Sequence, residues 1–167
     1  MIRLARADDL PALRDIERAA GKAFADIDMA FVAEDEPPSI EMLRTFQQAG
    51  RAWVSVDQHD RPVAYLIAEL VDGDAHIEQV SVHPDHRGER LGLRLIEHLG
   101  GWARDHGARA LTLTTFTEVA WNGPYYERCG FRPLDESELT PGLRRVRAAE
   151  AAHGLDRWPR ATMRREL

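Results

Sequence analysis

Apolar residues alternate with polar ones in some stretches and recur every three or four positions in others. This mixture of periods predicts a chain of both strands and amphipathic helices. Residues 2–6 read as a first strand. Asp8 or Asp9 is placed to cap a helix running to about Phe24, with Pro11 tolerated in its first turn. Residues 25–38 are acidic and read as an irregular connection. Ser39 is placed to cap a second helix that runs through Gln48 and closes at Gly50. Residues 52–56 and 63–71 read as a hairpin around the turn at 58–62, and Asp72-Gly73-Asp74 is a second turn before a strand over 75–82.

Beyond that strand, Leu91, Leu95, Leu99 and Trp102 fall on one side of a helix predicted over 89–106, which Gly107 stops. Gly100-Gly101 inside it marks either a close approach to a sheet or an early end. Residues 110–116 alternate apolar residues with threonine and read as another strand. Thr140-Pro141 starts a further helix, arginine- and alanine-rich over 144–153 and ending near Gly154. Trp158-Pro159 breaks it, and 161–167 reads as a closing strand paired with 131–134. No repeat, linker or low-complexity segment interrupts the chain.

The most informative segment is Val80-Ser81-Val82-His83-Pro84-Asp85-His86-Arg87-Gly88-Glu89-Arg90-Leu91-Gly92-Leu93. It reads as a strand end, a proline turn, an Arg/Gly loop and a helix start. Such a loop leaves several backbone N–H groups without intrahelical partners at the positive end of the helix dipole, an arrangement that binds phosphate oxygens. The nucleoside-triphosphate loop is excluded, because Gly88 and Gly92 are four apart and no lysine follows. The dinucleotide fingerprint Gly-x-Gly-x-x-Gly is also absent.

The segment instead resembles the acyl-coenzyme A loop of the GCN5-related N-acetyltransferase (GNAT) superfamily, Gln/Arg-x-x-Gly-x-Gly/Ala, with Arg90 standing where the middle glycine is usual. A second block, Tyr126-Glu127-Arg128-Cys129-Gly130-Phe131, is similar to the Tyr-x-Lys/Arg-x-Gly-Phe that ends the helix after the superfamily's fifth strand. The opening residues 2–10 also look like the superfamily's first strand and helix entry. The resemblance covers roughly residues 1–134 and is specific in combination. It implies an α/β fold of α+β type, with a mixed, mostly antiparallel central sheet splayed between strands 4 and 5 and helices on both faces. The expected organisation is one acetyltransferase domain over 1–167, with 139–167 a less typical helix–strand extension.

Bulk properties narrow the setting. A chain of 167 residues, 44% of them hydrophobic, suffices for one sizeable core. No window approaches a membrane span, no signal segment opens the chain, and a single cysteine suits a reducing compartment, so a cytoplasmic location is expected. Cys129 reads as a small apolar filler at a helix end rather than a reactive thiol. A net charge of −6 argues against nucleic acid as partner and mildly favours a cationic acceptor. The histidines show no metal-ligand spacing, so no metal is expected.

Acetyl transfer from a thioester to an amine needs an anchored donor, a deprotonated amine, a stabilised oxyanion and a proton for the leaving thiolate. The resemblance implies that Arg87, Gly88, Glu89, Arg90, Leu91, Gly92 and Leu93 hold the pyrophosphate of acetyl-CoA through their backbone. It puts Val80, Ser81 and Val82 beside the acyl group, with the Val82 N–H as oxyanion donor. Tyr126 matches the tyrosine that protonates the thiolate, with Tyr125 as fallback. A phenol of pKa about 10 can do so only if held within hydrogen-bond reach of the sulfur. Glu78 lies where many relatives carry a glutamate acting through water; it is the candidate base or acceptor-binding carboxylate, flanked by His76 and His83. Asn122 half-matches a cofactor-contacting asparagine, since it stands four rather than seven residues before the tyrosine; it is also well suited to cap a helix.

The acceptor pocket implied by the resemblance falls on the acidic connection, where Asp26, Asp28, Glu34, Asp35 and Glu36 lie beside Phe24, Met29 and Phe31. That composition fits a basic amine such as a polyamine, an aminoglycoside or a lysine peptide; the alternative is a solvated acidic loop. The C-terminal arginines read as a solvated surface balancing local glutamates; contact with the cofactor's 3′-phosphate or a partner, including a second copy, is the alternative. The function expected is acetyl transfer in a ternary complex; the rival is a non-catalytic acyl-CoA-sensing module of the same fold.

Overall fold

The computed structural model describes residues 1–167. In chain order it runs β1 (Ile2–Leu4), α1 (Leu10–Gly21), α2 (Ala30–Ala33), α3 (Ile40–Gln48), β2 (Ala52–Val56), β3 (Pro62–Val71), β4 (Asp74–Val82), α4 (Leu91–Asp105), β5 (Ala110–Phe116), α5 (Gly123–Arg128), β6 (Arg132–Pro133), α6 (Pro141–Ala152) and β7 (Arg160–Glu166). The strand order is β1-β2-β3-β4-β5-β7-β6. The β1–β2, β2–β3, β5–β7 and β6–β7 ladders are antiparallel, and β4–β5 is parallel. The chain divides into two compact units, Met1–Glu69 with Glu78–His98, and Leu70–Ile77 with Leu99–Leu167.

In the first unit, β1 pairs with β2 (Ile2↔Ser55) and β2 with β3 (Val54↔Tyr65), with an irregularity between Ser55 and Val56. Leu10, Leu13 and Ile16 form the inward stripe of α1, and Leu43 and Phe46 that of α3. Both stripes pack on Ala52, Val54, Val56, Tyr65 and Ile67, which strand alternation puts on one face of the sheet. The opposite face carries Trp53, whose ring meets His98 of α4 edge-on at 6.1 Å. Ser39 caps α3 as expected, its Oγ accepting the Met42 N–H at 3.1 Å, and Gly50 closes the helix at φ +72°.

Two expectations need correction here. Asp9 does not cap α1 through its side chain. Its carboxylate instead accepts two bonds from Arg3, at 2.7 and 3.1 Å, and the Arg6 N–H at 2.7 Å. The connection 25–38 is also more regular than its composition implied. A 3-10 turn over Lys22–Ile27 leads through left-handed Asp28 into the single turn of α2, and buried Met29 pins it.

In the second unit, β5 pairs with β7 along all seven residues, and β7 pairs with β6 (Arg132↔Arg164). The closing strand therefore meets 131–134 as expected, but it lies between that segment and β5. The parallel β4–β5 ladder holds only Ala75↔Leu111 and His76↔Thr112. Helix α4 runs unbroken through Gly100-Gly101, which excludes an early end; a Cβ at Gly100 would lie 3.5 Å from Leu167. Gly142 in α6 is fixed by close approach, since a Cβ there would meet Asp72 Oδ2 and Val71 Cγ1 at 2.6 Å, while its own N–H donates to Asp72 at 2.8 Å.

The arginines of the last third are not simply a solvated surface. The Arg160 side chain is 6% exposed; it pairs with Glu150 at 3.2 Å, and its guanidinium carbon lies 4.4 Å from the Phe116 ring centroid. Arg164 pairs with Asp74 at 2.8 Å and with Glu166 at 2.7 Å.

Candidate active site

The loop before α4 lies in the first unit and holds two residues in the left-handed region that favours glycine. Gly88 has φ +83°, and Arg90 adopts φ +59° at the very position where the superfamily usually has glycine. A side chain in this region costs about 1 kcal/mol, so the loop carries backbone strain to keep its course. The Arg94 N–H is bonded to the Arg90 carbonyl at 3.0 Å, which makes Arg90 the residue before the first turn. The N–H groups of Leu91, Gly92 and Leu93 thus have no intrahelical acceptor, at the positive end of α4. Gly88, Glu89 and Arg90 are exposed, while Leu91 and Gly92 are buried. The His86 ring and Glu89 Oε2, 2.8 Å apart, brace the turn.

Strand alternation sorts the residues of β4. Glu78, Val80 and Val82 point to one face; Gln79 and Ser81 point to the other, where α1 packs. Glu78 is exposed. His83 lies beyond the strand, where its Nδ1 accepts the Asp85 N–H at 3.1 Å and holds the turn.

On the α1 side of β4 lies a polar cluster that sequence reasoning missed. Glu17 of α1 accepts bonds from Tyr65 Oη at 2.8 Å and Ser81 Oγ at 2.6 Å on one carboxylate oxygen, and from Gln79 Nε2 at 3.1 Å on the other. Gln79 also donates to Ser81 at 2.9 Å. Glu17 keeps some solvent exposure as a residue, while its carboxyl end is enclosed by protein. Burial pushes the Glu17 carboxyl above the usual range, outweighing the three donors that pull it down. Tyr65 is pushed well above an ordinary phenol by burial and by the Glu17 charge. The signal was present in the helical period: position 17 is four residues after Leu13 and seven after Leu10, on the stripe that faces the sheet.

In the second unit, Tyr126 lies on α5, half-buried, its ring edge-on to Tyr125 at 5.3 Å and to Phe131 at 6.0 Å. The Phe131 N–H bonds back to the Tyr126 carbonyl at 3.0 Å, and Gly130 adopts φ +94°, the left-handed helix end expected from sequence. Asn122 stands at the N-cap position, but its side chain does not cap: its Oδ1 accepts the Thr115 hydroxyl at 3.0 Å instead. Cys129 is buried at the helix end, as a filler would be. His76 is buried with its Nδ1 2.8 Å from Thr112 Oγ1, and burial lowers its pKa to about 4 despite the opposing charge of Glu150. It is a neutral core histidine at ordinary pH. No helix is long and apolar enough to cross a membrane, and no group of three or more His, Cys, Asp or Glu side chains is gathered as for a metal ion.

The strand order and the parallel β4–β5 pair are the mixed, mostly antiparallel sheet that the resemblance implied. The chain belongs to the acetyltransferase (GNAT) family, whose model matches residues 11–131. It is 27% identical over 99 residues to the peptidyl-lysine N-acetyltransferase YjaB of Escherichia coli, a match covering 59% of this chain. It is 28% identical over 99 residues to the Salmonella typhimurium protein of the same name. The match spans 61% and 62% of those relatives' lengths. The fold is similar to a GNAT-family acetyltransferase from Staphylococcus aureus, with a TM-score of 0.77 and 14% identity over 100% of this chain and 98% of that one. It is also similar to the PaiA N-acetyltransferase of Thermoplasma acidophilum, solved with coenzyme A, with a TM-score of 0.73 and 13% identity over 100% and 98%.

Proposed function

We propose that this protein transfers an acetyl group from acetyl-CoA directly to a primary amine, without an acyl-enzyme intermediate. The observation that carries the reading is the left-handed Arg90. A non-glycine residue held at φ +59° between Gly88 and α4 preserves the loop course that aims backbone N–H groups outward, where pyrophosphate oxygens would be received. The 87–93 segment binds through its backbone, so arginine in the glycine position does not conflict with this role. Asn122, whose side chain holds Thr115, is a further candidate contact with the donor.

In this reading the thioester lies beside Val80, Ser81 and Val82, and the Val82 N–H stabilises the oxyanion. Tyr126 gives its proton to the departing thiolate. Glu78, exposed on the Val80 face, is the base or acceptor-binding carboxylate that the resemblance implies. Peptidyl lysine is the acceptor class that fits the YjaB likeness, and the acidic residues of the α1–α3 connection suit a basic amine.

A thiol-release assay with acetyl-CoA and a panel of lysine peptides and basic, neutral and acidic amines tests this, beside calorimetric binding of acetyl-CoA alone. Turnover with a lysine peptide is expected, and Tyr126→Phe should lower kcat by about 100-fold while leaving acetyl-CoA affinity in place. Binding without turnover on any amine would favour an acyl-CoA-sensing role. Absence of binding would mean that the 87–93 loop does not hold the donor.

A further inference from the structure

We propose that Glu17 is the general base of this acetyltransferase: its carboxylate receives the acceptor's ammonium group and takes its proton. The inference rests on the acetyl-transfer reading above and names the residue that makes the amine nucleophilic.

Three observations converge on Glu17. First, it occupies a position on the inward stripe of α1 that packing alone would give to an aliphatic residue, between Leu13 and the helix end. Second, its carboxylate is surrounded by neutral donors and no cation. Tyr65 faces it from β3, and Gln79 and Ser81 from β4. From α3 the core receives Leu43 and Phe46, and α2 is Ala-Phe-Val-Ala. The basic residues of its own helix are engaged elsewhere: Arg14 with the Pro38 carbonyl and Glu36, Arg18 with Glu36. An enclosed carboxyl group without a cation favours a proton or a cationic partner, and an ammonium ion offers both. Third, the Ser81 hydroxyl that binds Glu17 belongs to the residue between Val80 and Val82, where the thioester is proposed to lie. Glu17 is thus one side chain away from the acyl-bearing segment of β4, on the face opposite Glu78.

The chemistry balances without a further reactant. The acceptor arrives as R–NH3+, and one proton moves from nitrogen to a Glu17 oxygen, leaving R–NH2 and a carboxylic acid. The freed lone pair forms the N–C bond at the thioester carbonyl. The C–S bond breaks as the tetrahedral species collapses; the thiolate takes up one proton and the nitrogen gives up its second. Glu17 then releases its proton to solvent, so the sum is amide, free thiol and one proton. Burial keeps the Glu17 carboxyl above the ordinary carboxylate range, which brings its basicity closer to neutrality, where a base works best.

The test compares wild type, Glu17→Gln, Glu17→Asp and Glu78→Gln with an N-terminally blocked lysine peptide from pH 6 to 10, beside thermal melting and acetyl-CoA calorimetry. Glu17→Gln should lose about 100-fold or more in kcat at pH 7 with unchanged acetyl-CoA affinity. The deficit should narrow as the pH nears the amine's own pKa of about 10.4, because solvent then removes the proton. Glu17→Asp keeps a carboxylate and should retain the acidic limb of the pH profile at a lower rate. Wild-type kcat and acidic limb in Glu17→Gln would overturn the inference. So would a deficit that is equal at every pH, or an acidic limb that disappears in Glu78→Gln instead. A wild type that binds acetyl-CoA yet acetylates no amine would overturn the acetyl-transfer reading, and this inference with it.

Discussion

Glu17 in the first unit and Glu150 in the second are both carboxylates drawn in beside strands, and their surroundings answer them in opposite ways. Glu150 receives Arg160 at 3.2 Å and Arg147 at 3.3 Å, and accepts the Thr114 hydroxyl as well. Arg147 continues to Asp156 at 3.0 Å, and Arg160 lies over Phe116. Charge is met by charge at Glu150, while Arg160 Nε is left without a hydrogen-bond partner. Glu17 receives only two hydroxyls and an amide, and its charge is stabilised by dipoles alone. The lesson concerns how to read an enclosed carboxylate: one that is fully paired holds elements together, whereas one held by neutral donors retains its affinity for a cation or a proton.

The difference should be visible in stability, and most strongly at Glu150. Glu150→Gln leaves the enclosed Arg160 guanidinium without its counter-charge and should destabilise the fold by about 3–4 kcal/mol in urea unfolding. A double change of Glu150→Leu with Arg160→Met should recover most of that loss, because removing both charges also removes both desolvation costs. A Glu150→Gln protein as stable as wild type would show that the two glutamates do not differ in kind.

The two regions should also respond to pH with opposite slopes. His76 has its folded pKa lowered by burial to about 4, against about 6.5 unfolded. The native state therefore binds this proton less tightly than the unfolded chain does. Its contribution is present above about pH 6.5 and is lost as pH falls toward 4, by up to roughly 3 kcal/mol for a shift of that size. Replacing it as His76→Gln should flatten the acid side of the stability curve by a similar amount. An unchanged acid slope would mean that His76 stays accessible to protons in the folded protein.

How much of this was legible in the sequence follows the range of the interactions involved. Helix α3, strand β5 and the start of α6 have local causes, a Ser39 cap, a Thr/apolar alternation and Thr140-Pro141, and they stand where the pattern put them. The Arg-Gly loop and the Tyr-x-Arg-x-Gly-Phe block were likewise readable, because their backbone requirements are written in adjacent residues. What escaped was decided by partners far along the chain. Asp9 looked like a cap and is taken by Arg3 and the Arg6 N–H; Asn122 also looked like one, but it holds Thr115. The position of β7 depends on which of two strand edges was free, and no local signal carries that. Glu17 is the sharpest case. Its place on the α1 stripe was visible, but its meaning came only from Tyr65, Gln79 and Ser81, 48 to 64 residues away.

The smallest effect is the most discriminating, because it has the opposite sign to a structural loss. A carboxyl whose folded pKa is raised binds its proton more tightly in the native state than in the unfolded chain. Its contribution to stability is therefore present below the unfolded carboxyl range and is lost as pH rises through the folded value. Above that folded value Glu17 is enclosed and charged, the unfavourable side of the titration. Glu17→Gln keeps the length and planar end of the side chain and removes the charge. It should leave stability at pH 7 unchanged or raise it by about 1 kcal/mol, with the advantage shrinking as pH falls through the folded value toward the unfolded one of about 4.3. Parallel melts of wild type and Glu17→Gln at pH 4 and pH 7 measure this directly. A variant that is less active yet no less stable is what a catalytic carboxylate predicts, since such groups are kept at some expense to the fold. A clear loss of stability at pH 7 would instead make Glu17 a structural bridge between α1 and β4, with the three donors as its reason for being there.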